Sequence, residues 1–222
     1  MNRTTLGIAS IVTVLALASV AWIVGSGLPA DLQLPTHFGI SGAPDRFSGK
    51  WEALFLPAGA AGFLSLLFWF LPALEPRLAN LERSAGLYHW TWATLLLVNA
   101  VIELVVVSVA LRWGLRVEHI VVVSVGGVFV LIGNQLGKSR SMFFVGIRTP
   151  WTLASEEVWI RTHRLGGKLM VGGGLVMIVA ALLPLPSGLL VGVCCASLAA
   201  IVGIPVVYSY LLWRRERVQP SP

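Results

Sequence analysis

Long apolar runs separated by short polar segments dominate the pattern of this chain. A run of about 20 apolar residues is long enough to cross the hydrocarbon core of a bilayer as a helix. In lipid only helices or closed barrels satisfy the backbone, and no segment alternates as barrel strands do. The pattern therefore predicts an all-α, polytopic membrane protein with six transmembrane helices. The predicted spans are residues 6–24, 53–74, 90–111, 120–136, 169–183 and 189–213.

Local signals set several of these boundaries. No charge occurs from residue 169 to residue 213, which is longer than one span requires, and the turn signal Pro-Leu-Pro-Ser-Gly at 184–188 divides that stretch into two. Trp90, Trp92 and Trp113 flank the third span and are expected to be interfacial anchors.

The first span has a second interpretation as a cleaved signal peptide. Ser19-Val20-Ala21 resembles a small-residue cleavage site. The apolar run is longer than a signal core and continues past that site, which favours a retained helix.

Composition agrees with a membrane protein. Of the 222 residues 56% are hydrophobic and 12% are charged, against about 25% charged in soluble domains. The net charge of +6 is interpreted as basic loops beside anionic lipid, with no direct nucleic-acid partner. Cys194 and Cys195 are neighbours in an apolar run and indicate no disulfide framework.

The distribution of Lys and Arg predicts the orientation. Six helices place both termini on one side of the membrane, and one set of polar segments carries 12 of the 16 basic residues. Because basic residues favour cytoplasmic loops, both termini are expected to be cytoplasmic. The predicted domains are residues 1–75, with a structured extracytoplasmic loop at 25–52, then helices three and four in 76–136, then a motif loop and two helices in 137–222.

The polar segment 133–168 is predicted to be structured and to lie against the cytoplasmic face of the membrane. Ser155 has the character of an N-cap, the acidic pair 156–157 follows it, and Arg161 and Arg164 come before the glycine pair 166–167. These charges complement a helix dipole, and glycines commonly end helices. The pattern predicts a short interfacial helix with Val158, Trp159 and Leu165 facing the membrane.

A turn is predicted just before that helix. Pro150 disfavours helical backbone at Thr149, so residues 146–151 are expected to turn. Arg148 is expected to stack on Trp151 or to bind a lipid phosphate. Topology alone would explain the basic charge of this segment, but not its tryptophan and cap pattern.

The extracytoplasmic loop is predicted to be a compact lid that also presents a binding surface. Gly42 is among several Gly and Pro residues that indicate specific turns there, and His37 is expected to meet Asp45 across them. One histidine and one or two carboxylates are too few for a zinc site, so no metal is expected.

Asn99 and Glu103 lie four residues apart in the third span and therefore share one helix face. A carboxyl group at membrane depth usually faces the bundle interior. Three interpretations stay open: a proton or cation site, a polar anchor for a bound peptide, or a hydrogen bond that holds the bundle together.

Enzyme motifs are not found in the sequence. It contains no H-E-x-x-H, G-x-S-x-G or P-loop pattern. The four histidines fall on both sides of the membrane in the predicted topology and cannot form one cluster. The sequence therefore predicts neither an enzyme nor a cofactor.

Several strings resemble the SdpI family of bacterial membrane proteins. They are Gly133-Asn134, then G-I-R-T-P-W-T-L at 146–153, E-V-W at 157–159 and T-H-R at 162–164. The string P-T-H-F-G-I-S-G-A-P-D-R-F-S-G-K at 35–50 resembles the domain of unknown function that precedes this segment in the family. One departure is Ser141-Met142 before the aromatic pair 143–144, where the family commonly has an Asn.

The resemblance implies a bacterial cell-membrane protein that gives immunity to a secreted peptide toxin and holds a cytoplasmic autorepressor at the membrane. Membrane lipid, such a toxin and such a repressor are the expected partners, and the oligomeric state is open. The alternative is a small transporter or ion pathway built on Asn99 and Glu103. The candidate ligand- or partner-binding residues are His37, Asp45, Asn99, Glu103, Asn134, Arg148, Thr149, Pro150, Trp151, Trp159, His163 and Arg164.

Overall fold

The described part of the chain contains six long helices, as predicted, and each is long and apolar enough to cross a membrane. The structure is a computed structural model and describes residues 2–39 and 44–218. In chain order the elements are α1 (Arg3–Ser26), β1 (Gln33–Phe38), β2 (Pro44–Gly49), α2 (Lys50–Leu74), α3 (Leu78–Arg83), α4 (Ala85–Ala110), α5 (Val117–Leu136), α6 (Pro150–Ala154), α7 (Glu156–Leu182) and α8 (Ser187–Val218).

The long helices pack as two groups of three. Helices α1, α2 and α4 contact one another, α7 packs between α5 and α8, and the contact between α4 and α5 joins the groups. Successive long helices run in alternating directions. The N-terminus, the 75–84 link, the 137–155 loop and the end of α8 therefore share one end of the bundle, here called the loop end. The strands lie at the opposite end, here called the hairpin end.

A β-hairpin occupies the position of the predicted lid. Strands β1 and β2 pair antiparallel from Gln33 opposite Gly49 to Phe38 opposite Pro44. Buried Leu34 packs with Ala21, Leu54 and Val107, which fixes the hairpin to three helices. The sequence analysis predicted turns in this loop but did not predict the two strands. The turn expected at Gly42 lies outside the described residues.

Facing glycines let α5 and α7 approach very closely. A Cβ added to Gly133 would lie 2.9 Å from the carbonyl oxygen of Gly167, and one added to Gly126 would lie 2.7 Å from that of Gly174. Both distances are too short for a side chain, so the two backbones are in direct contact. Small residues commonly permit such packing between membrane helices.

The prediction of a short interfacial helix that ends at the glycine pair 166–167 was wrong. Helix α7 continues without interruption from Glu156 to Leu182, so the predicted span at 169–183 is only its second half. Gly166 and Gly167 lie inside this helix, buried, and Gly167 provides the contact with α5 just described. Ser155 is the N-cap as expected, because its side chain accepts the Val158 N–H at 3.2 Å.

Tryptophans that were expected at the membrane surface are partly in the core. Trp92 is 1% exposed, and its Nε1–H donates to Ser10 Oγ at 3.0 Å. Trp159 is fully buried, which also contradicts the prediction that it faces the membrane. Trp90 and Trp113 are exposed, consistent with their predicted role as anchors.

Candidate functional site

The 137–155 loop folds over the link between α2 and α4 through one buried carboxylate. Glu75, at the end of α2, is 5% exposed. It accepts the backbone N–H groups of Phe143 at 2.9 Å, of Phe144 at 3.0 Å and of Arg77 at 3.1 Å. Successive N–H groups that converge in this way form a concave anion site, and the Glu75 carboxylate fills it. The first helix group thus holds the backbone of the second.

Further polar contacts surround this carboxylate. The Arg77 guanidinium donates to Ser141 Oγ, and Asn80 Nδ2 donates to the Ser141 carbonyl oxygen at 2.8 Å. The Arg140 N–H donates to Ser84 Oγ at 2.8 Å. Ser141, where the resembled family commonly has an Asn nearby, therefore retains polar contacts in this chain.

His163 holds the other side of the loop. Its Nε2 accepts the Ile147 N–H at 2.8 Å, so Nδ1 carries the proton and donates to the Trp159 carbonyl oxygen at 2.9 Å. The imidazole stacks on the Trp159 ring with centroids 3.9 Å apart. Gly146 has a φ of 131°, and a Cβ there would lie 2.6 Å from His163 Nε2. Only glycine fits both this backbone conformation and this space.

Thr149 and Pro150 begin a single helical turn, α6. Thr149 has extended backbone, as predicted, and its hydroxyl accepts the Thr152 N–H at 3.2 Å. The Thr149 hydroxyl also lies 3.2 Å from Ser209 Oγ of α8. Pro150 is the first residue of the turn, where its missing N–H costs nothing. The turn is therefore fastened to the last helix.

Arg148 does not stack on Trp151, so the first of its two predicted contacts is wrong, and the lipid phosphate stays a prediction. Its guanidinium lies over the Phe143 ring, 4.5 Å from the centroid, while Trp151 packs against Tyr210 with centroids 5.1 Å apart. Phe143 and Phe144 are 42% and 41% exposed, and Arg148 is exposed. These three residues form an apolar and cationic patch, here called the loop-end patch.

Two predicted residues lie away from the loop-end patch. Asn134 is exposed on α5 and lines a small cavity of about 190 Å³ with Trp90 and Leu131. Arg164 is exposed on α7, and its Cα would lie 3.4 Å from a Cβ added to Gly137.

At the hairpin end the predicted meeting of His37 and Asp45 occurs. His37 Nδ1 lies 2.5 Å from Asp45 Oδ1, with the two side chains 62% and 53% exposed. Among the described residues no group of three or more His, Cys, Asp or Glu side chains could hold a metal ion.

Asn99 and Glu103 share one buried face of α4, as their spacing predicts. Asn99 is 4% exposed, and its Nδ2 donates to the Leu95 carbonyl oxygen at 2.8 Å within its own helix. Glu103 is 3% exposed, and neither of its carboxyl oxygens has a hydrogen-bond partner among the described residues. The predicted alternative of an interhelical hydrogen bond is therefore not seen for either residue among the described residues, because Asn99 donates within α4 and Glu103 has no partner there.

Glu75, Arg77, Asn80 and Ser141 were missed as site residues. Their signal was weak, because Glu75 is a single carboxylate directly after an apolar run, and its partners Phe143 and Phe144 lie 68 and 69 residues further along the chain. Polar residues at both ends of one predicted inner link could have suggested contact with the neighbouring inner loop.

Comparisons with known proteins find two family matches in this chain. Residues 138–209 match the SdpI/YfhL protein family, and residues 11–61 match a domain of unknown function, DUF1648. The resemblance noted from the sequence is thus confirmed. The first match contains the loop-end patch and His163, whereas the second contains the hairpin and ends before Glu75.

One curated relative is the Immunity protein SdpI of Bacillus subtilis (strain 168). It is 21% identical over 170 residues, which cover 75% of this chain and 82% of the relative. No solved structure matches the chain.

Proposed function

We propose that this multi-pass membrane protein, which carries an SdpI/YfhL family segment, gives immunity to a secreted peptide and presents its loop-end patch to a cytoplasmic autorepressor. The observation that carries the immunity part is the match to the Immunity protein SdpI over most of both chains. Six membrane-crossing helices agree with an immunity protein that acts in the membrane.

The loop end is proposed to be cytoplasmic. Of the 16 Lys and Arg residues, 12 lie in the loop-end half of the bundle, including three within the first half of α7, and four lie at the hairpin end. This asymmetry supports the assignment, since basic residues favour the cytoplasmic side. An impermeant thiol reagent applied to intact cells should then fail to label Glu157→Cys and should label Asp31→Cys.

The loop-end patch suits a docking surface because it is exposed and its backbone is fixed. The Glu75 carboxylate holds the Phe143 and Phe144 backbone, and His163 holds Ile147 beside Arg148. A surface whose backbone is already fixed loses less conformational entropy of its own when a partner binds. Aromatic and arginine side chains are enriched at protein interfaces.

The immunity part is tested in Bacillus subtilis deleted for its own Immunity protein SdpI. Expression of this chain should restore survival relative to an empty vector when the cells produce their secreted toxin. Equal killing with and without the chain, while immunoblots show it in the membrane fraction, would contradict the proposal.

The docking part is tested by charge reversal at the loop-end patch. Arg148→Glu should release the autorepressor from the membrane fraction while survival stays unchanged. Arg83→Glu, an exposed residue of the same end in α3, is the matched control and should leave the repressor at the membrane. Retention of the repressor by the Arg148 variant would contradict docking at this patch.

A second candidate function is a small transporter or ion pathway. The carboxyl of Glu103, which has no hydrogen-bond partner among the described residues, favours it, because buried ionisable groups within membrane helices commonly mark ion or proton routes. Proteoliposomes that lose cation or proton flux on Glu103→Gln would support this candidate, whereas equal flux would remove it.

A further inference from the structure

A cavity of about 500 Å³ lies between α1 and α2, and none of the loop-end patch residues lines it. Its α1 wall begins at Thr4 and ends at Leu15, and its α2 wall includes Gly62 and Trp69. Ile8 and Ile11, which also line it, are 60% and 62% exposed. The cavity therefore opens sideways, towards the hydrocarbon of the bilayer.

The buried Trp92 and Ser10 in this wall have hydrogen-bond partners within the protein. Trp92 Nε1–H donates to Ser10 Oγ at 3.0 Å, and Ser10 Oγ donates to the Leu6 carbonyl oxygen at 2.8 Å. A molecule bound in the cavity therefore does not have to supply hydrogen bonds to these buried groups. The cavity interior thus suits a hydrocarbon chain.

The length of the cavity matches one leaflet. Thr4 and Leu15 are 11 residues apart, which corresponds to about 16 Å along a helix at ~1.5 Å per residue. Half of a hydrocarbon core of about 30 Å is ~15 Å. The cavity therefore extends from the loop end to the middle of the bilayer, whereas the helix of a second protein copy would require a groove across the whole membrane.

A cation lies at the loop end of this cavity. The Arg3 guanidinium is exposed and lies over the Trp69 ring, 4.4 Å from its centroid, and it donates to the Trp69 carbonyl oxygen. Among the described residues no ion pair includes Arg3. The charge at this opening is thus free to bind an anion at the level of the lipid headgroups.

We infer that the α1–α2 cavity binds one anionic phospholipid, with an acyl chain along Ile8 and Ile11 and its phosphate on Arg3. Phosphatidylglycerol, as a bacterial anionic lipid, is the probe. The inference does not depend on the proposed immunity function, so either can fail alone.

The headgroup part is tested on the full chain in detergent, mixed with equal amounts of phosphatidylglycerol and phosphatidylcholine and examined by native mass spectrometry. We expect one retained lipid for each chain, with phosphatidylglycerol preferred about fivefold, since one basic residue near anionic lipid contributes about that factor. Arg3→Gln should abolish the preference but keep the bound lipid, while Arg83→Gln should leave both unchanged. A preference that survives Arg3→Gln would overturn the inference.

The acyl-chain part is tested by filling the cavity. Gly62 lines the cavity, whereas Gly59 is exposed three residues away in the same helix, does not line it and has open space around its Cβ position. Gly62→Phe should lower lipid retention about tenfold, and Gly59→Phe should not. Equal retention by both variants, or a dimer that Gly62→Phe abolishes, would contradict lipid occupancy. If the Gly62 variant fails to fold, Ile11→Ala should instead weaken retention and the Arg3 result still decides the headgroup part.

Discussion

Two buried carboxyl groups show opposite environments at similar depth from the surface of the protein. Glu75 is 5% exposed and accepts three backbone N–H groups, whereas Glu103 is 3% exposed and accepts no hydrogen bond among the described residues. A buried polar group is costly unless it is hydrogen-bonded. The difference therefore separates a carboxylate that stabilises the fold from one whose presence the fold does not explain.

The largest loss of stability is expected on substitution of Glu75. Glu75→Ala leaves the N–H groups of Phe143 and Phe144 without an acceptor, and each such group costs about 1–3 kcal/mol. We expect the free energy of unfolding in detergent to fall by about 3 kcal/mol. Glu82→Ala, at an exposed carboxylate of α3, should change it by less than about 0.5 kcal/mol. Equal effects of the two variants would remove the contrast between Glu75 and an ordinary surface carboxylate.

A smaller loss of stability is expected on substitution of Gly146. This substitution tests how tightly the loop is held near His163. Gly146→Ala adds a Cβ 2.6 Å from His163 Nε2 at a φ of 131°, so we expect it to lower the free energy of unfolding by about 2 kcal/mol. Gly114→Ala is the matched control, because its φ is also positive at 69° but nothing lies within 4 Å. Its cost should be about 1 kcal/mol. A Gly146 variant as stable as the Gly114 variant would show that the loop yields easily.

How much of this contrast the sequence could predict depends on the range of the interactions. The unbroken apolar runs predicted all six membrane helices, and the four-residue spacing placed Asn99 and Glu103 on one face. The role of Glu75 could not be predicted, because its partners are fixed by contacts between distant segments.

Local signals were ambiguous where tertiary packing used the same residues differently. The pair 166–167 was interpreted as a helix end, since glycines commonly occur there. In the structure Gly167 instead lets α7 contact Gly133 of α5. Likewise, the Gly- and Pro-rich sequence around His37 indicated turns, although β1 and β2 pair there through a register shift next to His37.

The smallest change in the free energy of unfolding is expected at Glu103, and the sign of that change is the informative result. Glu103→Leu removes two buried oxygens that have no hydrogen-bond partner among the described residues, so the free energy of unfolding should stay the same or rise by up to about 2 kcal/mol. Unfolding in detergent measures it beside Asn99→Leu, which removes the hydrogen bond to Leu95 and should be slightly less favourable. A destabilised Glu103 variant would show that its carboxyl has a structural partner after all.

Amide hydrogen exchange at Phe143 and Phe144 tests most directly whether the Glu75 carboxylate holds the 137–155 loop. If the Glu75 carboxylate holds these two N–H groups, they should exchange at least about tenfold faster in Glu75→Ala than in the unchanged protein, a loss of ~1.4 kcal/mol of protection. Glu82→Ala should leave them protected. Unchanged protection in the Glu75 variant would contradict the claim that the first helix group holds the loop-end patch in place.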